Sequence, residues 1–307
     1  MDHNKHYDYF RRLSLKEFSK ENDVYYLIHA NNLLVKPSMQ DKIRQRIDIE
    51  RKLIRISKKN NEFLIYFKNR LLNLFFSKYK IKYDKFKLNY IDDYFNKLCD
   101  NLKIPSNNVH YIDNINNNKD LIESINPDLM VVVGAPFIQS DILNIECVKI
   151  NLHIGFLPNY RGIKTIEWAI INNDYDKIGY TIHELTSKLD QGSVISRRTI
   201  NVDSSNYDLS HIYTSLYEKG FNDLIRIVKF GLYNEKAKEE LCEYKIYNNY
   251  KFNPINYKRL MKNKINLAIF AGNPVQYHAP IYKSLGSEGG INLTVMYGSN
   301  IGAKKFY

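Results

Sequence analysis

The sequence is poor in the features of secreted, metal-binding and membrane-spanning chains. Its three cysteines, Cys99, Cys147 and Cys242, are widely spaced and odd in number, which provides neither a disulfide framework nor a metal-binding pattern. The longest apolar stretch, residues 63–76, is interrupted by two basic residues and is shorter than the roughly 20 apolar residues of a spanning helix. The charged N-terminus lacks the apolar core of a signal peptide. We therefore expect a cytoplasmic protein without a metal.

Acidic residues are scarce in one part of the chain. The 307 residues carry a formal net charge of +12, and residues 41–87 contain 15 Lys or Arg against 5 Asp or Glu. A local excess of this kind attracts phosphates, nucleic acid or anionic lipid. A pair of solvated helices explains the same composition, so the basic stretch alone identifies no partner.

Residues 40–79 also lack Gly and Pro, and their pattern predicts a helix. Apolar residues recur on it at intervals of three and four, namely Leu64, Phe67, Leu71, Leu72 and Phe75. This stripe predicts a helix packed on a sheet, with a helix lying on a membrane surface as the alternative.

The rest of the chain up to residue 231 alternates between strand-like and helix-like segments. Strands are predicted at 24–28, 109–112, 129–133, 148–152, 179–183 and 194–197, and helices at 92–101, 118–125, 140–143 and 207–231. Such alternation predicts an α/β fold with a mostly parallel sheet and right-handed crossovers. Ligands of these sheets bind beyond the carboxyl ends of the strands. Gly134-Ala135-Pro136 and His153-Ile154-Gly155 both follow predicted strands, so we expect them at one crevice.

The C-terminal part differs from the preceding region. Residues 236–264 show little periodicity and are interpreted as a linker or peripheral segment. Strands at 265–270 and 291–297 flank a predicted helix at 279–285, which is the opening of a second Rossmann-like unit. A lone unit of this kind cannot bury its own faces. We therefore expect 265–307 to be a partial unit, from a chain cut short or a fragment of a longer fusion.

Three polar residues near the predicted crevice suit acyl transfer to an amine. Asn151 and His153 point to the same side of a strand, and Asp190 follows 37 residues after His153 in a turn. Asn151 can polarise a carbonyl oxygen, and His153 can do the same or accept the amine proton. Asp190 can stabilise the resulting imidazolium, directly or through water. Each residue alone is also explained structurally, as a cap, a backbone-bonded His or a turn former.

The motifs around these residues resemble the signature of the folate-dependent formyltransferases. The runs are NLHIGFLPNYRG from Asn151, EWAI from Glu167 and IGYTIHELTSKLDQG from Ile178. They match the family's Asn-X-His, Leu-Pro-X-X-Arg-Gly, Gly-X-Thr-X-His and Asp-X-Gly elements in order. The resemblance is good over residues 127–231 and weak before them. It implies a Rossmann-like sheet of the formyltransferase type.

The resemblance also implies roles for individual residues. It puts Asn151, His153 and Asp190 at catalytic positions, with 10-formyltetrahydrofolate as formyl donor. The residues implied to bind this donor are Gly134, Ala135, Pro136, Phe137, Ile138, Gln139, Leu157 and Asp190. The residues implied to close or shape the site are Pro158, Arg161, Gly162 and His183. For Leu157 and Pro158, packing and turn geometry are the alternative explanation.

The resemblance also bears on the domains and the acceptor. It implies a catalytic domain over 1–235, although Lys188 replaces the small or acidic residues common in the family. The C-terminal piece resembles the start of a two-domain glycosyltransferase, which implies a fused glycosyltransferase partner and surface-glycan synthesis of the lipopolysaccharide O-antigen kind. The implied acceptor is a nucleotide-linked amino sugar of the 4-amino-4,6-dideoxyhexose type.

Other functions and partners stay open from the sequence. The rivals are a methionyl-tRNA formyltransferase, disfavoured because no second barrel-like domain follows residue 231, and a formyltetrahydrofolate hydrolase. A non-enzymatic folate- or glycan-binding module is the third. A homo-oligomer and peripheral membrane contact remain open, and nucleic acid is not favoured as a partner.

Overall fold

The computed structural model describes residues 5–18, 24–29, 39–99, 108–234, 245–248, 251–260, 265–271, 282 and 291–297. Its helices are α1 (Lys5–Phe18), α2 (Met39–Lys59), α3 (Phe63–Cys99), α4 (Lys119–Ile125), α5 (Ser140–Leu143), α6 (Thr165–Ile171), α7 (Leu209–Lys229) and α8 (Pro254–Leu260). Its strands are β1 (Tyr26–His29), β2 (Val109–Ile112), β3 (Leu129–Val133), β4 (Val148–His153), β5 (Arg161–Gly162), β6 (Gly179–Glu184), β7 (Val194–Thr199), β8 (Ile246–Tyr247), β9 (Ile265–Ala271) and β10 (Ile291–Tyr297).

A four-stranded sheet in the order β3-β4-β6-β7 forms the centre of the fold. β3 and β4 are parallel, whereas β6 and β7 continue the sheet in antiparallel fashion. The pairs β1-β2, β5-β8 and β9-β10 are parallel, so four of the six described pairings are parallel. The α/β prediction with a mostly parallel set of strands is thereby confirmed, and the predicted strands lie within one or two residues of the observed ones.

Helix α7 covers one face of this sheet. It begins after Asp208, whose carboxylate accepts a hydrogen bond from the Ser210 N–H at 2.8 Å and caps the first turn. Leu216, Phe221 and Leu224 are fully buried in the same core as the β4 and β6 side chains. This packing fixes the sheet from which the crevice residues project.

A buried carboxylate links three helices within the core. Glu167 of α6 is fully buried and accepts hydrogen bonds from Tyr83 of α3 at 2.7 Å and from Tyr213 of α7 at 2.6 Å. Burial and the adjacent carboxylate raise the pKa of both tyrosine hydroxyls well above the usual value, so they remain donors.

The predicted helix over 40–79 is interrupted, and its packing differs from the expectation. The break lies between α2 and α3, where Asn61 adopts a left-handed φ of +56°, a conformation that Asn tolerates better than most residues. α3 packs mainly against α1, α2, α7 and α8, and Leu64, Phe67 and Leu71 are exposed. The prediction that this stripe packs on a sheet is therefore wrong for these three residues. The Phe75 side chain lies outside the described part.

None of the described helices combines the length and the apolar character that crossing a bilayer requires.

The segment interpreted as a linker contributes to the main core. β8 pairs with β5. Four side chains of this segment are buried in the core, namely Tyr247, Phe252, Tyr257 and Leu260. β9 and β10 form a parallel pair over seven residues each, which is the pairing expected of a β-α-β opening. The helix predicted at 279–285 lies outside the described residues apart from residue 282.

Candidate active site

A pocket opens beyond the carboxyl ends of β3 and β4. One wall is the loop after β3, and the opposite wall is the turn between β6 and β7. The lining residues are Val132, Ala135, Pro136, Phe137, Ile138, Asn151, His183, Leu185, Thr186, Lys188, Leu189 and Asp190. The structure thus brings together most of the predicted donor-binding loop with two of the three predicted catalytic residues.

The loop after β3 is held in shape by Asn116, a residue that the sequence patterns did not predict. The Asn116 amide donates to the Phe137 carbonyl at 3.0 Å and accepts from the Gln139 N–H at 2.8 Å. At the start of the loop, Gly134 has φ +60°, and a Cβ there would lie 1.9 Å from the Tyr7 hydroxyl oxygen. Asn116 follows the carboxyl end of β2, a position that could have identified it.

Asn151 and His183 are directly paired across β4 and β6. The His183 Nδ1–H donates to the Glu184 carbonyl at 2.7 Å, so Nε2 is left as an acceptor for the Asn151 amide N–H at 3.1 Å. Burial, the largest cause, lowers the pKa of His183 to about 4, which keeps the ring neutral near pH 7. An amide nitrogen carries two N–H groups, so Asn151 keeps one for the pocket that it lines.

Asp190 lies between two imidazoles in the tight turn that follows β6. Its backbone has a left-handed φ of +48°, and its Oδ2 accepts a hydrogen bond from the Gly162 N–H at 2.8 Å. Its carboxylate oxygens lie 3.8 Å from His153 Nδ1 and 3.9 Å from His183 Nε2. These separations are too long for direct hydrogen bonds but allow strong electrostatic interaction in a buried setting.

His153 adjoins the pocket without being among its lining residues. Its Nε2 lies 2.9 Å from the Tyr160 carbonyl, which can only accept, so Nε2 carries a hydrogen. Its Nδ1 faces Asp190, and its ring passes so close to Gly155 that a Cβ there would lie 2.4 Å from Nε2. The ring is therefore fixed with Nδ1 toward the Asp190 carboxylate.

The loop after β4 supports the turn that carries Asp190. Arg161 is buried and donates from Nε to the Leu189 carbonyl at 3.2 Å. Gly162 has φ +96°, and a Cβ there would lie 2.4 Å from the Tyr247 carbonyl oxygen. These contacts orient Asp190 through the backbone on both sides of it.

Not every predicted donor-binding residue reaches the pocket. Leu157 is fully buried and its N–H donates to the Thr181 hydroxyl at 3.1 Å, whereas Pro158 is half-buried after a cis peptide bond. Gly134, Gln139 and Leu157 are not among the lining residues. Lys188, which departs from the family pattern, does line the pocket and is exposed.

A metal site is not apparent in the described ranges, where no three or more His, Cys, Asp or Glu side chains form a group that could hold an ion.

Comparison with known families identifies the central part of the chain. Residues 108–228 match the sequence profile described as "Formyl transferase". These residues are a formyl transferase domain. The domain spans β2 to α7 and contains Asn151, His153 and Asp190 together with the whole lining of the pocket.

Curated proteins similar to the chain match it over the same domain. A methionyl-tRNA formyltransferase of Sulfurihydrogenibium sp. (strain YO3AOP1) is 35% identical over 119 residues, covering 37% of this chain and 38% of that protein. The bifunctional polymyxin resistance protein ArnA of Wigglesworthia glossinidia brevipalpis is 36% identical over 121 residues, covering 38% of this chain and 17% of that protein. The chain therefore spans well under half the length of these relatives.

Among solved structures, a 4-N formyltransferase from Francisella tularensis superposes with a TM-score of 0.42 at 22% identity. The superposition covers 57% of this chain and 66% of that one.

Proposed function

We propose that this chain is an N-formyltransferase that uses 10-formyltetrahydrofolate as donor and a nucleotide-linked amino sugar as acceptor. The observation that carries the proposal is the convergence of Asn151 and Asp190 on one pocket whose wall is the loop after β3. The formyl transferase domain contains all of these parts. The three widely spaced cysteines led us to expect a reducing cytoplasm, and we propose that compartment for the reaction.

The lining of the pocket fits a folate donor. Val132, Phe137 and Leu185 supply apolar walls for a flat ring, and the backbone of the loop supplies polar groups at its edge. When bound, the donor would supply the formyl carbonyl that the amine attacks, and tetrahydrofolate would leave as the bond from the formyl carbon to N10 breaks and that nitrogen takes up a proton. The loop after β3 would hold its ring, next to the amide of Asn151.

The side chains of the site divide the chemistry between them. The free N–H of Asn151 stabilises negative charge on the carbonyl oxygen, while the neutral His183 ring fixes the amide orientation. Asp190 and His153 together accept the proton that the attacking amine releases, since His153 Nδ1 faces the carboxylate. Asp190 lines the pocket and would face the acceptor amine. His153 Nδ1 lies 3.8 Å from the Asp190 carboxylate and would stabilise the proton that is transferred there.

The acceptor is proposed from the resemblance of the C-terminal piece to a glycosyltransferase opening. The parallel pairing of β9 with β10 supports that interpretation because parallel strands need a crossover connection, as in a Rossmann-like unit. A 4-amino-4,6-dideoxyhexose on a nucleoside diphosphate, used for surface glycans, is the acceptor that we propose.

Initiator methionyl-tRNA is the second candidate acceptor. It is favoured by a specific finding, since the Sulfurihydrogenibium relative that is 35% identical over the domain is a methionyl-tRNA formyltransferase. The exposed basic side chains of α2 and α3 would suit its phosphates.

A product assay tests the proposal and separates the two acceptors. The full chain is incubated with 10-formyltetrahydrofolate and either a panel of nucleotide amino sugars or methionyl-tRNA. The masses of the products are then measured by mass spectrometry. A formyl group gained by one sugar supports the proposal, whereas formylation of methionyl-tRNA alone supports the second candidate. Release of tetrahydrofolate with no formylated acceptor would indicate a hydrolase instead.

A further inference from the structure

The first turns of α3 expose apolar side chains to solvent and bury polar ones. Tyr66 and Asn69 are buried, whereas the side chains of Leu64, Phe67 and Leu71 are 82%, 53% and 43% exposed. Successive residues of a helix are about 100° apart, so the three apolar residues share one side and the two polar residues lie on the other. A surface helix normally turns its apolar side inward, and this one turns it to solvent.

Specific contacts hold the helix in this orientation. The Tyr66 hydroxyl donates to Glu50 of α2, and Arg70 forms a 2.9 Å ion pair with the same carboxylate. At the turn between the helices, Glu62 pairs with Lys251 at 2.6 Å. Rotating the apolar side inward would break these contacts and bury charged groups without partners.

The exposed apolar side is surrounded by positive charge. Residues 55–71 contain five Lys or Arg and one acidic residue, Glu62, which is already paired. Lys58 and Lys59 end α2 just before α3 begins, and the Lys58 ammonium lies 5.4 Å from the Phe63 ring centre. Helices α2 and α3 form a helical hairpin, and we call the exposed residues near its turn the hairpin-tip surface. They are Lys58, Lys59, Leu64, Phe67, Lys68 and Leu71.

We propose that the hairpin-tip surface docks on a bilayer that contains anionic lipid. Leucine and phenylalanine side chains gain free energy by leaving water for the acyl boundary, and lysines beside them are attracted to anionic headgroups. A second copy of the chain would bring lysines against lysines. Nucleic acid would satisfy the lysines but leave Leu64 and Leu71 in water.

Vesicle flotation of the full chain tests this inference. We expect the protein to float with vesicles of phosphatidylcholine mixed with phosphatidylglycerol, not with phosphatidylcholine alone, and less at high salt. The double variant Leu64→Gln, Phe67→Gln should lower the partition coefficient by at least about tenfold. Ile81→Gln is the matched control, because Ile81 is 65% exposed on the same helix but lies outside the hairpin-tip surface.

Three results would overturn the inference. The first is a wild-type chain that stays in the aqueous fraction with mixed vesicles. The second is an equal loss of binding in Ile81→Gln, which would remove the link to this surface. The third is a dimer in analytical ultracentrifugation that the double variant dissociates without any vesicle binding, which would identify a second copy as the occupant. Circular dichroism verifies that each variant is folded.

Discussion

The Asp190 carboxylate accepts a hydrogen bond from the backbone N–H of Gly162 at 2.8 Å, and this contact ties the two loops of the site together. Because the donor is a backbone group, the position of the carboxylate depends on the conformation of residue 162. That conformation has φ +96° and requires glycine.

Gly162→Ala should therefore weaken both stability and activity. The added Cβ would lie 2.4 Å from the Tyr247 carbonyl oxygen, in a backbone conformation that alanine rarely adopts. We expect a loss of about 1–3 kcal/mol in the free energy of unfolding, measured by urea denaturation, and a lower kcat. Gly220→Ala is the control, because its Cβ meets only side-chain atoms of Leu152 and Tyr180 at 3.2 Å or beyond, and its effect should stay within about 1 kcal/mol. Equal losses in the two variants would contradict the argument.

Asn151→Ala should remove the donor that stabilises the developing oxyanion. We expect kcat for formyl transfer to fall by about 10²–10³, because a single oxyanion donor contributes on that scale. The thermal midpoint should change little in comparison. Asn144→Ala, at an exposed helix end outside the pocket, should leave kcat unaltered. A kcat near the wild-type value in Asn151→Ala would remove this residue from the mechanism.

His153→Asn should abolish turnover while sparing binding of the folate. The reason is that His153 Nδ1 faces the Asp190 carboxylate, whereas the residue is not among those that line the pocket. Isothermal titration with tetrahydrofolate and a single-turnover assay measure the two effects separately. His211→Asn, at an exposed position on α7, provides the control for loss of an imidazole. Weakened folate binding with normal turnover is the opposite pattern and would refute the assignment.

The lowered pKa of His183 should make stability dependent on pH. The unfolded chain binds a proton at this residue near the usual pKa of 6.5, whereas the folded chain does so only near 4. Between these values the unfolded state holds more protons, so stability falls as the pH decreases through the window, by an amount on the order of 3 kcal/mol. Denaturation of the wild type and of His183→Gln at several pH values measures the difference. An identical slope in both proteins would show that His183 is not its source.

Glu167→Ala should be strongly destabilising. The substitution leaves the buried hydroxyls of Tyr83 and Tyr213 without their carboxylate partner, and we expect a loss of about 3–5 kcal/mol in the free energy of unfolding. Glu218→Ala is the matched control, since Glu218 is half-buried and accepts from Tyr94 at 2.7 Å. Its cost should be about 1 kcal/mol. A comparable cost for the two variants would mean that burial contributes little here.

Sequence patterns correctly predicted the strands that build the site. The continuous apolar run at 129–133 forms β3, whose last two residues are buried, and the alternation at 148–153 places Asn151 and His153 at one strand end. Local chemistry also indicated the turn at Asp190, whose left-handed backbone suits aspartate.

Long-range relationships were beyond those patterns. The position of Asn116 after β2 marks it as a candidate, but periodicity does not reveal that its amide would bracket the loop at Phe137, because the bonded residues are 21 and 23 positions away in the sequence. The prediction that the apolar stripe on α3 packs on a sheet was wrong for a related reason. Periodicity shows that a helix has an apolar side but not which way that side faces, and here Glu50 and Lys251 determine the orientation.

Because β5 pairs with β8, the packed core includes residues beyond the part of the chain that matches the family. Family similarity ends at residue 228, yet Tyr247 stacks on Tyr160 with ring centres 5.3 Å apart, and Trp168 packs against Phe252. The described residues 245–248 and 251–260 thus pack against the part of the domain that contains the loop orienting Asp190. The support of the catalytic-site loop therefore extends beyond the residues that the family match covers.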